Sequence, residues 1–83
     1  MLVRNRGAEP VIDPSAFVAP TAVLVGRVSV GSRARVMYGA VLDSEASEVK
    51  VGATAIVCEN AVLRATSAEG ADLPVVVGDH AFV

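Results

Sequence analysis

A six-residue rhythm of aliphatic side chains runs through almost the whole chain and leaves few folds open to it. In one frame it reads Ile12, Val18, Leu24, Val30, Val36 and Leu42, then Val51, Val57 and Leu63, then Val77 and Val83. All eleven positions hold Ile, Leu or Val, although only 24 of the 83 residues are of those types. Random placement would fill them about once in a million trials. Four residues after most of them stands a small side chain: Ala16, Ala22, Ala34, Ala40, Ala55, Ala61 and Ala81, with Val28 taking that place in one repeat.

A period of six excludes an amphipathic helix, which needs an apolar residue every three or four positions, and polar turn residues interrupt the alternation of an ordinary half-buried strand. A β-helix satisfies it. Each hexapeptide makes one flat face, three faces make one coil, the large aliphatic side chain fills the interior, and the small one lets the chain turn the corner. Coils stack with the strand spacing of a sheet, about 4.8 Å. The phase predicts an all-β parallel coil of about three and a half turns. IDPSAF, VAPTAV and LVGRVS form coil one; VGSRAR, VMYGAV and Leu42 form coil two. VGATAI, VCENAV and Leu63 form coil three, and VGDHAF opens a fourth. Residues 1–10 read as a lead-in, and two insertions, at about residues 43–50 and 64–76, fall at the same corner of one elongated domain spanning 1–83.

Composition narrows the function classes. The apolar fraction is 53%, yet no unbroken apolar stretch approaches the 18 or so residues of a membrane span. A net charge of −2 provides no electrostatic footprint for nucleic acid. The start, MLVRNRGAEP, has no apolar core of a secretory signal. One cysteine, Cys58, permits no internal disulfide and suits a reducing cytoplasm. Two Phe, one Tyr and no Trp leave little for stacking on bases or sugars.

The run VIDPSAFVAPTAVLVGRVSVGSRARVMYGAVLDSE, continued in register by VKVGATAIVCENAVLR and VVVGDHAFV, resembles the γ-class carbonic anhydrases and related bacterial hexapeptide-repeat proteins. The resemblance implies that the β-helix is left-handed, an exception to the usual right-handed crossover. It also implies a homotrimer with metal sites between subunits, and a C-terminal helix lying along the prism.

The functional motifs of that family are where this chain departs. Asp43-Ser44-Glu45 stands where the family has Arg-Gly-Asp, whose charges the resemblance places in salt bridges across the trimer interface. Ile56-Val57-Cys58-Glu59 replaces the Asn-x-Gln-Asp segment that lines the family's active site. Arg64 occupies the place of the first metal-binding histidine, and a protonated guanidinium has no lone pair for zinc. The two other family histidines would follow Val83. A zinc hydratase needs three neutral imidazoles and an open fourth position; this chain has one histidine, His80, in a Gly-Asp-His-Ala turn. No cofactor is therefore expected, with zinc as the alternative.

Asp43 and Arg64 each follow an inward leucine and fall in one column a rung apart, which predicts a salt bridge between them in place of the metal centre. Val23, Val41 and Val62, with Val25 beside them, predict an outward apolar column that calls for association. Together with Met37, Asp43 and Arg64 these form the expected subunit interface. Cys58 is expected beside Ala19 and Met37 as a structural thiol. Glu45 and Glu59 fall on different faces, Arg33 and Arg35 on a solvated one, and the C-terminal rung is expected to be covered by a second copy. The sequence thus reads as a non-catalytic, oligomeric structural or interaction module. The alternative is a zinc hydratase or hexapeptide acyltransferase completed by residues beyond Val83.

Overall fold

The computed structural model describes residues 1–68 and 71–83 and contains thirteen short strands among them. In chain order they are β1 (Leu2–Val3), β2 (Val11–Ile12), β3 (Phe17–Val18), β4 (Val23–Val25), β5 (Val28–Val30), β6 (Arg35–Val36) and β7 (Val41–Asp43). They continue as β8 (Val49–Val51), β9 (Ile56–Val57), β10 (Val62–Arg64), β11 (Thr66–Ala68), β12 (Ala71–Leu73) and β13 (Val75–Val77). Strands β1, β4, β7 and β10 stack in parallel as face one; β2, β5, β8 and β13 as face two; β3, β6 and β9 as face three. A parallel bridge from Ile56 to Phe82 extends face three. The result is a prism of 34 × 22 × 22 Å, a left-handed β-helix of hexapeptide rungs.

The repeat explains the stack. The pairing register aligns Leu2, Leu24, Leu42 and Leu63 on face one. Ile12, Val30, Val51 and Val77 align on face two, and Val18, Val36 and Val57 on face three. Leu24, Leu42, Val36 and Val57 are fully buried. The alanines at the corners, Ala22, Ala34, Ala40 and Ala55, are fully buried too, because the chain bends there over the interior and leaves space for a methyl group only. Arg33, Thr54 and His80 precede the corner alanines Ala34, Ala55 and Ala81 on successive rungs and share a left-handed backbone, with φ of 58°, 62° and 63°. His80 is exposed, and its N–H donates to the Ala53 carbonyl at 3.0 Å, so it serves as a turn residue.

Two features differ from the sequence expectation. Leu2–Val3, within the expected lead-in, forms the first rung of face one, with Leu24 N–H donating to Met1 O and Gly26 N–H to Val3 O, each at 2.8 Å. The two insertions are shorter than the repeat phase suggests, because Asp43, Val49 to Val51, Arg64 and Val75 to Val77 all belong to strands. The second contains an antiparallel pair in which Thr66 faces Leu73; residues 69 and 70 of that insertion lie outside the described residues. Both insertions lie at the corner between faces one and two, as does the Arg4–Pro10 segment that joins β1 to β2.

Candidate functional site

Of the residues singled out by their departures from the family pattern, Asp43, Ser44, Glu45 and Arg64 gather at the end of face one and at the corner beyond it. Val25, Asp43 and Arg64 form one column, aligned by the pairings of Val25 with Asp43 and of Asp43 with Arg64. The column is as expected, but its ion pair is not. Arg64 Nε donates to Glu45 Oε2 at 2.5 Å, rather than to Asp43. The reason is local. Asp43 Oδ1 accepts the Glu45 N–H at 3.0 Å and caps the turn, in which Glu45 takes a left-handed backbone with φ of 47°. Hydrogen bonding to Glu45 and then its charge raise the Arg64 pKa above the ordinary arginine value, with Asp43 adding a smaller push in the same direction. The guanidinium stays cationic under all working conditions.

This donor set does not fit zinc. The column holds one guanidinium and two carboxylates, one carboxylate paired with that guanidinium and the other engaged by a backbone N–H. No imidazole stands in it. Among the described residues, no three of His, Cys, Asp and Glu cluster closely enough to hold a metal ion.

The remaining expected site residues lie on face three. Ile56 is half-buried and pairs with Arg35 and Phe82. Cys58 is half-buried with a free thiol, and its N–H donates to Val83 O at 2.8 Å, the same bond that Ala19 and Met37 make on the rungs above. Glu59 is exposed in the turn between faces three and one, a corner away from Glu45. Phe17 and Tyr38 stack obliquely on the same side, with ring centroids 6.2 Å apart.

Val23, Val41 and Val62 form the outward column on face one. Val62 is 65% exposed, while Val23 and Val41 are half-buried. An open hollow of about 580 Å³ runs along face two past Val11, Ser29, Lys50 and Val76, away from the Arg64 corner. Sequence reasoning missed Glu45 as the partner of Arg64 and missed the corner itself as a structured site. The only signal for the latter was the dipeptide Leu2-Val3, which repeats Leu24-Val25 ahead of a glycine-containing turn.

A three-faced left-handed coil of hexapeptide rungs defines a hexapeptide-repeat protein. The chain is homologous to the γ-class carbonic anhydrases. It is 40% identical over 76 residues to gamma carbonic anhydrase 3, mitochondrial, of Arabidopsis thaliana, a match covering 89% of this chain and 30% of that protein. It is 32% identical to gamma carbonic anhydrase 2, mitochondrial, of the same plant, covering 89% of this chain and 27% of the relative. The chain thus spans about 30% of the length of the curated relatives it matches. The fold is shared with a hexapeptide transferase family protein from Anaplasma phagocytophilum at a TM-score of 0.62 and 24% identity, over 76% of this chain and 49% of that one. No family model matches the chain.

Proposed function

We propose that this chain is a non-catalytic member of the γ-carbonic-anhydrase-like hexapeptide-repeat proteins and acts as a metal-free subunit of a homotrimeric structural or interaction module. The observation that carries the reading is the Arg64–Glu45 ion pair. It fills the position where the resemblance places the first metal-binding histidine, with a side chain that cannot ligate zinc. The exposed Val62 at the end of the Val23–Val41–Val62 column supports self-association, since an apolar strip on one flat face is stabilised by a partner that covers it. Val25 and Asp43 flank that strip and Met37 lies on the adjoining side, and we include all three in the proposed contact surface.

A second reading rests on the lengths of the relatives. A chain that spans about 30% of gamma carbonic anhydrase 3 leaves room for a hydratase or an acyltransferase completed by residues beyond Val83. Native mass spectrometry with and without added zinc separates the two. A trimer whose mass zinc leaves unchanged supports the structural module; one zinc per subunit interface overturns it.

The single cysteine is the reason for assigning the cytoplasm. The plant relatives are named as mitochondrial proteins, and no described helix is long and apolar enough to cross a membrane. Fractionation of the producing cells tests the assignment, and recovery with an organelle would refute it.

A further inference from the structure

We infer that the corner between faces one and two holds a binding site for a small tetrahedral oxyanion of the phosphate type, with Arg6 and Arg27 as its cationic walls. The corner holds a half-open pocket of about 130 Å³, formed where the Asn5–Ala8 hairpin meets Arg27 and the loop from Ser44 to Ser47. That volume suits one oxyanion and falls well short of the roughly 300–1,000 Å³ of sites for larger organic ligands.

The walls are fixed in place. Asn5 and Ala8 exchange both backbone hydrogen bonds at 2.9 Å, so Arg6 and Gly7, with φ of 53° and 78°, form a closed two-residue turn. The Asn5 amide nitrogen reaches Glu45 O at 3.5 Å and links the hairpin to the opposite loop. The buried Ser44 hydroxyl accepts the Arg27 N–H at 2.8 Å and donates to Glu45 O at 3.2 Å.

Three observations point to an anionic occupant. Arg6 and Arg27 line the pocket, and neither has a carboxylate within salt-bridge distance among the described residues. Two acidic groups near the pocket are already engaged by other cations: Glu9 binds Arg4, and Glu45 binds Arg64. Ser47 also lines the pocket, and its hydroxyl, open to solvent there, has no hydrogen-bond partner among the described residues. That hydroxyl is free to donate to a ligand in the pocket. Guanidinium groups match tetrahedral oxyanions through paired N–H donors, and a serine hydroxyl completes such a cradle.

The test is a titration of the folded chain with inorganic phosphate at pH 7.5 and low ionic strength, read by calorimetry and by backbone amide shifts. A parallel arm uses methyl phosphate to distinguish a free ion from the head of a phosphomonoester. Saturable shifts confined to residues 5–8, Arg27 and 44–47 are expected. Arg27→Ala and Arg6→Asn (asparagine tolerates the left-handed backbone at position 6) should each weaken binding at least about tenfold. Arg33→Ala, at a different corner, should leave binding unchanged. The amide spectrum of each variant reports whether it is folded. Absence of saturable binding to the folded chain overturns the inference. So does a loss in Arg33→Ala as large as that in Arg27→Ala, which would mean diffuse attraction to any exposed arginine.

Discussion

Gly52 and Asp79 lie one rung apart with no room between them for a side chain. A Cβ on Gly52 would stand 2.7 Å from the backbone nitrogen of Asp79 and 2.8 Å from the Gly78 carbonyl carbon. The same contact seats Asp79 Oδ1 to accept the Ala53 N–H at 2.9 Å. Gly52→Ala is therefore expected to destabilise the fold by about 1–3 kcal/mol, since the stack must open to admit the methyl group. Gly78→Ala, where a Cβ meets nothing within 4 Å, should be nearly neutral. Urea unfolding of the two variants checks the contrast, and equal losses would contradict the packing described.

Leu42 and Val62 belong to one face and answer to different forces. Leu42 is fully buried within the stack, so Leu42→Ala should cost about 2–5 kcal/mol through lost burial and an unfilled cavity. Val62 is 65% exposed, so Val62→Asp should leave protomer stability nearly intact while weakening self-association at least about tenfold. Sedimentation velocity beside a denaturant melt reads both effects. An unchanged assembly in Val62→Asp would exclude face one as the contact surface.

Arg64→His supplies one imidazole to a column that otherwise offers only the Asp43 and Glu45 carboxylates. Releasing Glu45 from its ion pair does not produce the three neutral nitrogen donors of a zinc hydratase site. The variant is expected to take up no zinc at micromolar metal. Stoichiometric binding, measured by competition with a chromophoric chelator, would show that the corner retains the geometry of a metal centre.

Asp13 caps its own turn. Its Oδ1 accepts the Ser15 N–H at 2.9 Å and the Ser15 hydroxyl at 2.7 Å, and these bonds, the backbone one foremost, hold its pKa below the ordinary 3.8. A carboxyl depressed in the folded state stabilises it fully above its unfolded value and loses that contribution as pH falls through the folded one. The effect is small because Asp13 is open to solvent. Asp13→Asn should therefore flatten the stability profile below about pH 4 and leave its shape near neutrality unchanged, as thermal melts across the acid range would show. An unaltered acid limb would assign it to other carboxylates.

The interior of the prism was legible because geometry permits so little there. Each inward position must fill the same narrow section, so Leu24, Leu42, Val36 and Val57 announce themselves by spacing, and the corner alanines by size. The candidate site was legible only in outline. Spacing put Asp43 and Arg64 in one column, but the partner of Arg64 depends on the turn at Glu45, whose left-handed backbone the six-residue period does not fix. The first rung escaped the repeat because the spacing of ten from Leu2 to Ile12 breaks the period of six. The β11–β12 pair lies in the segment from Thr66 to Leu73, where Leu73 is the one large aliphatic residue to mark it.

Three of the four passages from face one to face two carry extra residues, whereas the other two corners keep to the hexapeptide. Length changes are thereby confined to one edge, where added chain leaves the prism without shifting any strand against its neighbours. That edge can gain or lose a loop without renegotiating the core. It is also the edge onto which an engineer could graft a recognition loop above an unaltered stack.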